Sequence, residues 1–172
     1  MNLGMTAASN DIVLLTVGHA RLSNNQALRG AARHYQIGNL GGVYSASLPN
    51  DNASRTDRLT AVASKWLFEG SRQIKKAGMG VLGATGAMVA KPVWEELGQF
   101  DERYESGGED TALASKMLEA GFHIIREPLL AVHHTHGLGP VNSLRQWRHW
   151  AKTLRGPVPL DLQALAARRP DL

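Results

Sequence analysis

Apolar positions fall in short blocks that alternate between a strand-like and a helix-like period. Asp11 introduces Ile12-Val13-Leu14-Leu15-Thr16-Val17, a continuous apolar, β-rich run suited to a buried strand, and Gly18-His19-Ala20 breaks it. Residues 3–9 before it have the character of a helix end. Ser23-Asn24-Asn25 offers an N-cap for a helix from Gln26 to Tyr35, with Leu28, Ala31 and Ala32 facing inward. Gly38 and Gly41-Gly42 frame a second strand, Val43 to Ala46, followed by a loop rich in Pro, Asn and Asp from Leu48 to Ser54. Leu59, Val62, Ala63, Trp66 and Leu67 share one face of a helix predicted over Leu59–Lys76. Beyond the glycine-rich stretch Gly78–Gly86, Ala87 to Ala90 is a short strand, and Pro92 opens a helix carrying Val93, Trp94 and Leu97. A helix from Asp110 to Ala120 ends at Gly121. Phe122–Ile125 and Leu129–Val132 are strands or extended segments, and Asn142 or Ser143 caps a last helix running to Leu154. Strands alternating with helices give an α/β class.

The chain has 172 residues, enough for one domain with a core of its own, and its 43% hydrophobic share is ordinary for a globular protein. The domain is expected over residues 1–155, with 156–172 a proline-containing tail. No apolar run reaches bilayer-spanning length, and no basic region followed by an apolar stretch marks a signal peptide. The absence of cysteine excludes disulfides and thiolate metal sites and fits the cytoplasm. The formal charge of +4 owes much to Arg145, Arg148, Lys152, Arg155, Arg168 and Arg169. A solvated basic face accounts for these; a peripheral contact with an anionic membrane surface, helped by Trp147 and Trp150, is the sharper alternative. No helix-turn-helix, zinc-finger or RNP-type pattern points to nucleic acid.

Two clusters carry candidate chemistry. Gly107-Gly108-Glu109-Asp110 places carboxylates in a first helical turn, where the helix dipole favours the ionised form and an Asp can take a proton from a hydroxyl. Plain capping explains the same pair without any chemistry. His133-His134-Thr135-His136 follows an apolar run, and on a strand His134 and His136 would point to one side, toward a divalent metal or a phosphate. Gly83-Ala84-Thr85-Gly86 lacks a P-loop lysine and reads as close backbone approach to a substrate or a neighbouring strand. His19 lies at a strand end, where ligands collect in α/β sheets.

Taken in order, several pieces resemble the family 2 glycosyltransferases of the GT-A fold. They are Asn2-Leu3-Gly4, Ala7-Ala8 and Asp11-Ile12-Val13; Gly83 to Val89; Trp94 to Glu102; Gly108 to Ala114; Glu119 to Phe122; and His134-Thr135-His136-Gly137. The resemblance implies a partial three-layer α/β/α nucleotide-diphospho-sugar transferase fold lacking its first strands. It also implies inverting transfer from a nucleotide-diphosphate sugar to a hydroxyl acceptor such as a glycan or glycolipid, in polysaccharide or glycolipid synthesis. Asp110 matches the catalytic base, and Glu109 would position acceptor or base. Gly83, Ala84, Thr85, Gly86, Gly107, Gly108 and Lys116 would line the substrate site. His134 or His136 matches the position that helps bind a divalent metal, Mn or Mg, or the diphosphate.

The chain departs from that pattern in three places. The acidic pair that follows the strand in the family is replaced by Val17-Gly18-His19, leaving His19 as a substitute metal ligand or phosphate donor. Lys116 stands where the family often has Arg, losing a bidentate contact. The nucleotide-binding N-terminal strands have no counterpart. An unpaired sheet edge, self-association and little activity by itself are therefore expected, at the cytoplasmic face of a membrane or in the cytoplasm. Two other readings stay open: a non-catalytic remnant or interaction module, and a histidine-based metallohydrolase using His133, His134, His136 and a carboxylate.

Overall fold

A computed structural model of the chain describes residues 1–59, 61, 70–104 and 107–153. It is an α/β sandwich around a five-stranded mixed sheet ordered β1-β6-β3-β7-β5. The strands are β1 (Ile12–Leu15), β3 (Leu40–Tyr44), β5 (Arg72–Gln73), β6 (Ala87–Ala90) and β7 (His123–Arg126). β6 runs antiparallel to both β1 and β3, β7 runs parallel to β3, and β5 pairs antiparallel with β7. Three two-residue strands, β2 (Arg21–Leu22), β4 (Ser47–Leu48) and β8 (Val132–His133), form a second small sheet ordered β2-β8-β4.

The pleat sorts the apolar runs onto two faces. Tyr44, Ala87, Val89 and Ile124 belong to one core cluster, while Val43, Met88 and Ile125 belong to the other. A sheet covered on both sides needs continuous apolar strands, which is what the sequence supplies. The first cluster is roofed by α1 (Asn2–Ala7) through Met5, by α3 (Lys91–Glu96) through Val93 and Trp94, and by α4 (Glu109–Glu119) through Leu113, Ala114 and Met117. The second is covered by Ala31 of α2 (Ala27–Ala32) and by Leu130 of the 3₁₀ turn Pro128–Leu130. The three-layer arrangement expected from the sequence is therefore present.

Glycine fixes α4 at both ends. Gly108 precedes it with φ of 112°. Beyond it, Gly121 N–H donates to the Leu118 carbonyl and Phe122 N–H to the Met117 carbonyl, the paired bonds of a Schellman cap. Gly41 and Gly42 lie inside β3 rather than ahead of it. A Cβ on Gly41 would sit 2.9 Å from Met117 Sδ, and one on Gly42 would sit 2.7 Å from Leu82 Cδ2. The strand tolerates glycine there because α4 and Leu82 press directly on its backbone.

Other expectations are corrected. The helix placed over Leu59–Lys76 begins earlier and does not reach Lys76. Ser54 and Asp57 form a reciprocal cap, each backbone N–H donating to the other's side chain at 3.1 Å, and residues 55–59 are helical. Gly70 has φ of 80° and Arg72-Gln73 are extended as β5; residues 62–69 lie outside the described ones. In α2 the inward residues are Ala27, Gly30 and Ala31, whereas Leu28 and Ala32 are exposed. A Cβ on Gly30 would come within 2.9 Å of Leu129, so only small residues fit that contact. A 3₁₀ turn, Arg33–Gln36, takes the place of the predicted last helical turn. The segment Leu129–Val132 is mostly the 3₁₀ turn, with extended pairing from Val132. The last helix, α5 (Pro140–Thr153), starts at Pro140, ahead of the Asn142 or Ser143 cap. The tail at 156–172 lies outside the described residues. Among the described residues no helix is long and apolar enough to cross a membrane.

Candidate functional site

A cavity of about 430 Å³ opens between the start of α4, the glycine-rich segment before β6, the end of β8 and one face of α5. Gly83, Ala84, Thr85, Gly107, Gly108, Asp110, His134 and His136 all line it, so most of the expected site residues converge. Gly107 and Gly108 both have φ near 111°, a conformation that side-chain-bearing residues rarely adopt. Gly83 gives space: a Cβ there would lie 3.7 Å from Asp110 Oδ2.

Asp110 is held by its neighbour. Its Oδ1 accepts from the Thr111 N–H at 2.6 Å and lies 3.3 Å from the Thr111 hydroxyl, which also reaches the Gly78 carbonyl at 3.3 Å. Burial raises the Asp110 pKa above the ordinary aspartate value and the Glu109 charge adds to the rise, while the bonds from Thr111 oppose it. A carboxylate moved toward neutrality in a cleft has the properties of a general base.

Four expected residues lie outside the lining: Glu109, Lys116 and Gly86 stand elsewhere, and His19 sits beside His134 at the cavity's edge. Glu109 is outside the cavity lining, and its Oε2 is buried without a hydrogen-bond partner among the described residues. Lys116 lies further along α4, where its Nζ donates to the Leu97 carbonyl at 3.2 Å; it ties α4 to the end of α3 and is also outside the lining. Gly86 is packed under β8: a Cβ there would lie 2.8 Å and 3.0 Å from the two Cγ atoms of Val132.

The histidines assemble through strand pairing. Ala20 N–H donates to the Val17 carbonyl in a turn that carries His19. The chain then enters β2, which pairs with β8 through Arg21–His133 and Leu22–Val132. His134 follows β8, and its N–H donates to the Leu48 carbonyl of β4. His19 is thereby set against His134 in a tilted contact with ring centroids 4.7 Å apart, and His136 is 4.7 Å from His134 on an edge contact. One ring nitrogen from each of His19, His134 and His136 lies within 4.8 Å of the others. His134 is buried and the other two are exposed. Burial lowers the His134 pKa, and the two neighbouring imidazoles lower it further, which favours the neutral ring with a lone pair to offer. His133 does not join them; its Nδ1–H donates to the Pro49 carbonyl at 2.8 Å. The His133-based metallohydrolase set is therefore not assembled.

The group of three imidazoles contains no carboxylate. Mn²⁺ and Mg²⁺ prefer carboxylate, carbonyl and water oxygens, so these side chains do not fit the ions implied by the resemblance.

The sequence reading missed the fourth wall. Ser143, Gln146, Trp147 and Trp150 share one face of α5 and line the cavity. Their spacing of three and four residues was legible, but the direction that face points was not.

No family model and no curated protein matches the sequence. Among solved structures, the chain is similar to mannosyltransferase PcManGT from Pyrobaculum calidifontis, determined in complex with GDP-Man and Mn²⁺. The TM-score is 0.60 at 18% identity, covering 91% of this chain and 43% of that one. The chain thus spans less than half the length of that structure. Its fold is like part of a nucleotide-sugar glycosyltransferase.

Proposed function

We propose that the chain carries the catalytic and acceptor portion of an inverting glycosyltransferase, moving a sugar from a nucleotide-diphosphate donor to a hydroxyl acceptor. The observation that carries this reading is Asp110, a half-buried carboxylate in one cavity with two indole rings and a nitrogen-rich end. Asp110 accepts the proton of the acceptor hydroxyl as its oxygen attacks the anomeric carbon. The bond from that carbon to the diphosphate breaks on the opposite face, and its electron pair leaves with the diphosphate. Configuration inverts because attack and departure are in line. Trp147 and Trp150 offer apolar planes to the C–H faces of a sugar, and the residues at His134 and His136 face the leaving diphosphate. Gly83, Gly107 and Gly108 let the acceptor reach Asp110 without meeting a side chain. Glu109 acts through its charge on Asp110, and we assign Lys116 no contact with substrate. Exposed Arg145, Arg148 and Lys152 on α5 suit an anionic membrane surface beside the acceptor end.

The similar mannosyltransferase structure supports a sugar-nucleotide donor. A non-catalytic role is the competing reading, favoured by the replacement of the acidic pair by Val17-Gly18-His19. One experiment decides between them. Transfer from GDP-mannose and UDP-glucose to glycan and glycolipid hydroxyls is measured on the purified chain and on the gene product as its host makes it, each beside Asp110→Asn. Turnover is expected to be low in the purified chain, and Asp110→Asn is expected to lower any turnover by at least about 100-fold, the lower end for a general base. The acid limb of the wild-type pH profile should lie above the usual aspartate range, because the base works only when ionised. Asp110→Asn should also melt slightly higher at neutral pH, since it removes a charge that burial disfavours. Equal transfer by wild type and variant, or none by either protein form, overturns the reading.

A further inference from the structure

The three-histidine cluster is better suited to a different ion from those named above. Among the described residues no hydrogen bond to protein engages these ring nitrogens, and His134 and His136 line the cavity. A four-coordinate zinc holds its nitrogens at about 2.0–2.1 Å, which places them about 3.3 Å apart. To reach that from the present spacing of up to 4.8 Å, the two exposed rings, His19 and His136, would turn toward the buried His134. Imidazole sets without a carboxylate favour the later divalent ions of the first row, with Zn²⁺ and Cu²⁺ far ahead of Mn²⁺. Three protein ligands also leave a position for water or an anionic oxygen, the pattern of zinc sites that meet a substrate. Strand pairing supplies the reason for the set: β2–β8 pairing carries His19 to the spot, and among the described residues no acidic residue accompanies it.

We propose that His19, His134 and His136 form a three-imidazole site selective for Zn²⁺-class ions over Mn²⁺ and Mg²⁺. This deepens the transferase reading, because the site lies at the diphosphate end of its cavity, but ion binding is measured without any sugar nucleotide. Failure of transfer therefore leaves this proposal standing, and failure of ion binding leaves the assignment of Asp110 standing.

The test uses the purified chain, stripped with a chelator and dialysed separately against zinc, manganese and magnesium chlorides at equal concentration. Bound metal is then counted by elemental analysis, and affinity is read by calorimetry. One equivalent of zinc is expected to remain, with manganese and magnesium lost. Cobalt(II) should give the intense visible bands of a four-coordinate ion. His19→Ala and His136→Ala should each weaken zinc binding by more than the roughly 10–100-fold typical of an outer-shell change. Both residues are exposed, so these variants fold even if His134→Ala does not. His133→Gln, outside the cluster, should bind zinc as wild type does and excludes binding by the histidine tract at large. Retention of manganese or magnesium as tight as zinc, retention of no metal, or zinc binding unchanged in the His19→Ala, His136→Ala double variant overturns the proposal.

Discussion

At the scale of single residues, a strongly held buried carboxylate lies away from the cavity. Glu127 is 1% exposed, and its Oε2 accepts from Ser71 at 2.6 Å, His34 at 2.7 Å and Arg33 at 2.8 Å, while its Oε1 accepts from the Leu129 N–H. Burial pushes such a carboxyl up, yet these four bonds together outweigh it and hold the pKa down from 4.5 to about 2. The folded state therefore prefers the ionised form more than the unfolded chain does. Its contribution is complete above the unfolded pKa and is lost as pH falls through the folded one. That shift corresponds to about 3 kcal/mol. Glu127→Gln should accordingly destabilise the protein by about that amount at pH 7, and thermal melts should show the gap to wild type closing between pH 4.5 and 2. Melting curves that stay the same distance apart down to pH 2 would reject the assignment. None of this was legible in the sequence, because the three side-chain partners lie 56 to 94 positions away and a Glu after an apolar strand has no mark of its own. Asp110 was legible for the opposite reason: its glycines, its helix and its neighbouring Glu109 are all local.

At the scale of elements, the readable parts are those whose signals are local and the unreadable parts are those set by distant partners. The strand Ala87–Ala90, the Pro92 helix and the glycine-capped α4 lie within a residue or two of expectation. The two-residue strands β2, β4, β5 and β8 have no periodicity to find, since pairing partners alone make them extended. Yet β2 and β8 decide the site, because only their pairing brings His19 to His134, more than a hundred positions along the chain. The site should then respond to strain beneath β8. Gly86 faces both methyls of the buried Val132, which lies two residues before His134 and, being β-branched, is slow to rotate away. Gly86→Ala should cost about 1–3 kcal/mol by overpacking. It should also displace β8, so that zinc retention falls although no histidine has changed. A variant that melts lower but binds zinc as wild type would show that β8 and the histidines move independently.

At the scale of the whole molecule, the sheet ends in a strand with one partner among the described residues. β1 is hydrogen-bonded to β6 on one side and is outermost on the other, with Ile12, Val13 and Leu14 only partly buried. Leu3, just before it on α1, is 89% exposed. At the far edge, β5 is two residues long and carries Arg72 and Gln73, the kind of short polar strand that resists pairing. The two edges thus differ in the property that governs association, and β1 is the one that invites another strand. A net charge of +4 opposes contact between copies only weakly, since salt screens it within about 10 Å. Sedimentation of the purified chain should therefore show an average mass that rises with concentration above the 18.6 kDa of one copy. Raised salt separates the causes. Association through backbone pairing and apolar contact should persist or strengthen, whereas association through the basic face of α5 with anionic contaminants should disappear. A single species of monomer mass at every concentration would mean that the β1 edge is protected in solution, and the expectation of self-association would fall with it.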